Sequence, residues 1–210
     1  MFKNTLFIKI VLVFTLPALG MLYFSTILVY EKVLILKELH RAKSNIQYLT
    51  ITENLLHTVQ KERGYSATFL TSKKYKNELI EQRKRTDLRY KDYVKFISEI
   101  KFVNSQLIFS IKKIQNSFYN IEMVRQNVDN LNLQTFDVLL NYNKINENML
   151  DSVLSIGPVN HASNFNTKLS SMINLLIAKE NAGIERALTS MILAKDNYVS
   201  DKIYKYLIRL

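Results

Sequence analysis

Polar and apolar positions along this chain fall into two regimes. Residues 10–30 contain no charged side chain. A helix of about 20 apolar residues spans a bilayer core, so this stretch predicts a transmembrane helix. Beyond it, apolar side chains recur at spacings of three and four, the pattern of helices that each bury one face. Leu55, Val59, Ser66 and Phe69 form one stripe. Phe118, Ile121, Val124 and Val128 form a second, and Ile173, Leu176, Ile177, Ile184, Leu188, Met191 and Ile192 a third. The first helix is predicted to continue from the span to residue 70. Further helices are predicted over 77–100, 105–128, 134–156 and 161–195, with a sixth beginning near 197. Polar residues 71–76, the segment 129–133 and the Gly157-Pro158 pair separate them. The expected fold is all-α: an N-terminal transmembrane helix followed by an up-and-down antiparallel helical bundle.

Composition sharpens this picture. Hydrophobic residues make up 48% of the 210, enough for a real core. Only 4 Gly and 2 Pro occur, which favours long helices over strands and turns. Cysteine is absent, so disulfides, thiolate metal sites and cysteine nucleophiles are excluded. The net charge of +11 admits nucleic acid, anionic lipid or a small anion as partner. The densest basic run, Arg83-Lys84-Arg85 with Arg89 and Lys91 nearby, reads as a solvated helix face. No known nucleic-acid-binding signature accompanies it, and no nucleic-acid partner is expected.

Lys3 and Lys9 precede the apolar span, which favours a cytoplasmic N-terminus, although Lys32, Lys37, Arg41 and Lys43 follow it. A cleaved signal peptide competes with this reading, since Pro17-Ala18-Leu19-Gly20 imitates a cleavage site. The apolar run continues ten positions further, longer than a signal peptide needs, and an uncleaved signal anchor is the expectation. The predicted organisation is 1–9 cytoplasmic, 10–30 transmembrane, 31–51 a helical extension and 52–210 a helical domain. Its last residues, from Ile203, form an amphipathic pattern without a C-cap signal, so the chain reads as truncated.

Arginine placement carries the candidate chemistry. Arg63 lies four residues after Val59 and eight after Leu55, on the apolar stripe. Arg125 lies four after Ile121 and three before Val128, and also points inward. Arg186 sits beside Ala182, Gly183 and Ser190, small residues that admit a neighbouring helix or a ligand. Arg83 is a weaker candidate within the basic segment. A guanidinium is always charged and presents a planar fork of N–H donors that suits carboxylate, nitrate or phosphate. Structural pairing of these arginines with Glu62, Glu122, Glu180 and Glu185 is the open alternative. His40, His57 and His161 show no metal-ligand spacing. No catalytic constellation or phosphate loop is visible. No catalytic residue, metal or cofactor is expected, and the chain reads as a non-enzyme.

The residues that follow Leu56 carry a resemblance. His57-Thr58-Val59-Gln60-Lys61-Glu62-Arg63-Gly64-Tyr65-Ser66-Ala67 resembles the first motif of the nitrate- and nitrite-sensing (NIT) domain family, a Gln-x-Glu-Arg-Gly run followed by small residues. Gln82-Arg83-Lys84-Arg85-Thr86-Asp87 resembles its Gln-Arg-x-x-Thr-Asp run. Ala178-Lys179-Glu180-Asn181-Ala182-Gly183-Ile184-Glu185-Arg186-Ala187 resembles its late Lys-Glu-x-Ala-Gly-x-Glu-Arg-Ala motif. Arg125 falls where the family has a middle-helix arginine. The resemblance implies a helical bundle that senses nitrate or nitrite, with Arg63, Arg125 and Arg186, and less strongly Arg83, on the anion. The family includes membrane receptors and soluble transcription antiterminators, and the apolar span favours a receptor of the inner membrane with an extracytoplasmic (periplasmic) sensor. A homodimer is expected, and the cytoplasmic signalling module is missing from this chain. The alternative is a membrane-anchored helical interaction module with structural arginine–glutamate pairs and no small ligand.

Overall fold

The computed structural model describes residues 2–100, 104–158, 163–194 and 201–208. These residues form six helices and no strand: α1 (Phe2–Ser72), α2 (Lys76–Glu99), α3 (Ser105–Asp129), α4 (Thr135–Leu154), α5 (Ser163–Ala194) and α6 (Asp201–Leu207). The end of α1 and both ends of α2, α3 and α4 lie within two residues of the apolar-spacing expectation, while α1 begins eight residues before the expected span. The predicted starts at 161 and 197, the predicted end at 195 and His161 fall outside the described residues. The chain divides into two compact units, Met1–Lys43 and Ser44–Leu210.

In the first unit most of the described apolar side chains of α1 are exposed: Phe14 and Met21 are each 73% exposed. This is the one helix among the described residues long and apolar enough to cross a membrane. Two of its hydroxyls bond back within the helix. Thr15 Oγ1 donates to the Val11 carbonyl at 2.9 Å and Thr26 Oγ1 to the Leu22 carbonyl at 2.7 Å. Pro17 sits inside the helix, a placement tolerated in spanning helices more than in soluble ones.

The second unit is the bundle. Leu55, Val59 and Phe69 of α1 pack with Leu79 and Tyr93 of α2, Ile114, Phe118 and Ile121 of α3, Tyr142 and Met149 of α4, and Ile173 and Leu176 of α5. A smaller cluster lies beside it, where Phe136 and Leu139 of α4 meet Ile184, Leu188 and Met191 of α5 and Ile203 of α6. Local signals set the connections. Asn104 Oδ1 caps α3 by accepting from the Leu107 amide at 2.7 Å. At the other end of α3 the Leu131 amide reaches the Val128 carbonyl and the Asn132 amide the Asn127 carbonyl, a Schellman ending. Leu131 takes the left-handed conformation there (φ 56°) that glycine more often fills.

Candidate functional site

Glu62 and Arg63 are neighbours on α1, but successive helical residues point about 100° apart. They therefore serve two different networks. Arg63, 4% exposed, reaches α4 and α5. Its Nη1 donates to Asn143 Oδ1 at 2.5 Å and to Glu180 Oε1, and its Nη2 reaches Glu180 Oε2 at 3.4 Å. The Glu180 carboxylate, itself buried, also accepts from Gln60 Nε2 at 2.6 Å and Asn146 Nδ2 at 2.9 Å. Burying a carboxylate is costly unless donors of this kind satisfy its oxygens. Gly183 makes room for the pair. A Cβ on it would stand 3.2 Å from Arg63 Nη2, tighter than ordinary contact.

Beside Arg63 a groove of about 390 Å³ opens between α1 and α5. Gln60, Gly64, Thr68 and Thr71 line it from α1, and Gly183, Arg186, Ala187 and Ser190 from α5. Arg186 is exposed, and no ion pair holds it among the described residues. Two guanidiniums thus face one groove. Glu180 balances the charge of Arg63, and the charge of Arg186 is left over.

Glu62 turns the other way. Fully buried, it takes Arg125 Nε on Oε1 at 2.8 Å and Arg125 Nη2 on Oε2 at 3.1 Å, a bidentate pair. Tyr142 Oη donates to the same Oε1 at 2.8 Å. Arg125 also pairs with Asp87 at 2.8 Å and, more loosely, with Glu122 at 3.6 Å. Burial works against the Arg125 charge, but the carboxylates of Glu62 and Asp87 outweigh it and raise the pKa. Burial, and then the neighbouring Glu62 charge, push the Tyr142 phenol up. Arg83 pairs with Asp129 at 2.8 Å and donates to the Arg125 carbonyl at 3.4 Å.

Of the four arginines singled out from sequence, the fold brings Arg63 and Arg186 to one groove. Arg125 and Arg83 do not line it. The pairings left open for Glu62, Glu122 and Glu180 are made. Asn143, Asn146, Tyr142 and Tyr206 were not anticipated. The available signal was two amides, Asn143 and Asn146, three residues apart and flanked by Leu139, Met149 and Val153 on the buried side of α4. Among the described residues no cluster of three His, Asp or Glu side chains could hold a metal ion.

The family model described as "Nitrate and nitrite sensing" matches residues 54–210. No curated protein matches the chain. The solved structure titled "Structure of the NasR transcription antiterminator" superposes with a TM-score of 0.78 over 88% of this chain, at 19% identity. The match takes in 51% of that protein, so this chain spans about half its length, and at that identity the likeness shows the fold alone.

Proposed function

Because the chain belongs to the nitrate and nitrite sensing family, we propose that it is the extracytoplasmic input domain of a signal-transduction receptor, with the anion held between Arg63 and Arg186. Residues 1–9 are then cytoplasmic, 10–30 the membrane anchor, 31–51 a helical extension and 52–210 the sensor, working as a homodimer whose output lies in a separate module. The observation that carries this reading is the unpaired guanidinium of Arg186 facing the same groove as the buried guanidinium of Arg63. A planar oxyanion accepts in-plane N–H bonds from both and neutralises the surplus charge. It would join α1 to α5 across the groove, which gives the ligand different affinities for two packings of the bundle, the requirement for a switch. The uncovered apolar face of α1 over 10–30 supports the membrane anchor.

Calorimetry on the full chain in detergent or nanodiscs, with nitrate, nitrite, chloride and sulfate, tests the ligand. Nitrate or nitrite should bind and the other anions bind more weakly. Arg186→Ala should weaken that binding about tenfold or more, the worth of a charge-assisted hydrogen bond, and leave thermal unfolding unchanged. A folded chain that ignores nitrate sinks the reading and favours the interaction module, whose arginines would be satisfied as they stand by Glu180 and Glu62. An Arg186→Ala chain that binds like wild type sinks the site alone.

Topology has its own test. The chain has no cysteine, so Tyr119→Cys, at a position 88% exposed on α3, supplies a single thiol. A membrane-impermeant maleimide applied to spheroplasts should label it. Labelling only after lysis would place the bundle in the cytoplasm.

A further inference from the structure

Helix α6 is linked to Arg63, which lines the groove, by a relay of side chains. Tyr206 Oη accepts from Asn143 Nδ2 at 2.9 Å, and Asn143 Oδ1 accepts from Arg63 Nη1. The polarity of this relay is determined. A guanidinium has only donors, so the carboxamide oxygen of Asn143 must face Arg63 and its NH₂ must face Tyr206. Asn143 is buried, and so its orientation is held from both ends. We propose that α6 belongs to the anion site: Tyr206, acting through Asn143, is a positioning residue for Arg63, and the docking of α6 is coupled to the state of the groove. This rests on reading the groove as an oxyanion site.

The fold makes the coupling plausible in energy as well as in geometry. α6 has seven residues, too few to be stable as an isolated helix, so it persists only through its contacts. Among the described residues these include Ile203, in the cluster with Phe136, Leu139, Ile184, Leu188 and Met191, and Tyr206, whose ring meets Phe136 edge-on with centroids 6.0 Å apart. Met191 also lines the groove. A helix too short to stand alone opens at low free energy and responds to small changes. With α6 docked, the fork of Arg63 is oriented before the anion arrives, and binding spends less ordering entropy. Linkage is reciprocal: the factor by which docked α6 tightens the anion is the factor by which the anion tightens α6.

Hydrogen exchange at residues 201–208 of the full chain in nanodiscs, with and without nitrate, tests this. Without nitrate, Tyr206→Phe should speed exchange there by about threefold to tenfold, one hydrogen bond's worth. Arg63→Lys, which keeps the charge for Glu180 but loses the fork, should do the same, and the double variant should be no faster than either. Ile203→Ala, which loosens α6 by packing alone, should add fully to Arg63→Lys. If Arg63→Lys does not fold, Asn143→Leu takes its place. With nitrate, wild-type α6 should be protected by a similar factor, and Tyr206→Phe should bind nitrate more weakly by that factor. Additive effects of Arg63→Lys and Tyr206→Phe, or no effect of Arg63→Lys on α6, would overturn the proposal. Non-additivity in a chain that gives no nitrate heat supports the relay and overturns only the choice of anion.

Discussion

Replacing Glu180 with glutamine is expected to destabilise the bundle and at the same time make it far more responsive to nitrate. Among the described residues the carboxylate is the only counter-ion of Arg63, and both groups are almost out of water. Removing one partner of a buried ion pair costs about 3–5 kcal/mol, because the other charge stays behind uncompensated. For a bundle of this size that lowers the melting temperature by roughly 6–20 °C. The same carboxylate opposes the ligand. Two like charges some 5–6 Å apart at an effective dielectric near 20 repel by about 3 kcal/mol. Glu180→Gln should therefore bind nitrate at least tenfold more tightly, and nitrate should restore much of the lost stability by mass action. Thermal unfolding followed by circular dichroism, in gluconate and in nitrate, reads both effects. A folded Glu180→Gln chain whose melting temperature responds to nitrate no more than wild type would mean that the anion does not sit near Arg63.

Arg125→Met is expected to lose a similar amount of stability for a different reason, and to keep its ligand. Glu62 is fully buried, and Arg125 gives it two of its three hydrogen bonds. Without Arg125 the carboxylate is left with the Tyr142 hydroxyl, at a cost of about 3–5 kcal/mol. Adding Glu62→Gln removes the stranded charge and should recover a large part of that loss. Urea unfolding of the single and double variants checks this. Below its unfolding transition Arg125→Met should still bind nitrate, since Arg125 does not line the groove. A single variant as stable as wild type would show that the Glu62 pair contributes nothing. Loss of nitrate binding in a folded Arg125→Met chain would return Arg125 to the anion site.

These two variants separate what stripe geometry could not. Spacing from Val59 and Ile121 shows that Arg63 and Arg125 point inward. It does not say which inward neighbour each meets, because that depends on the rotation of every other helix. Arg186 is the converse. It lies on an exposed face, and the cue to its role was the run of small residues, Ala182, Gly183 and Ser190, that leaves the groove open. The helices themselves were legible because each carries an apolar stripe flanked by strong breaks such as Gly157-Pro158. The polar lining of α4 was not. Asn143 and Asn146 sit among the buried residues of α4 with Asn148 and Ser152, and their roles are intelligible only once Arg63, Glu180 and Tyr206 stand around them. Tyr206 was hidden further, because a seven-residue helix has too few positions to reveal which side is buried.

Glu62 and Arg63 are adjacent on α1, and the residues they meet on α4, Tyr142 and Asn143, are adjacent too. Two side-by-side contacts between the same pair of helices work like meshed gear teeth. Turning α1 by one residue, or sliding it along α4, would break both and strand two buried charges at once. The same register ties α1 to its other neighbours, since Glu62 also holds Arg125 of α3 and Arg63 also holds Glu180 of α5. In mechanical terms α1 is a shaft keyed on three sides, and a slip of one residue would cost the bundle two buried ion pairs together.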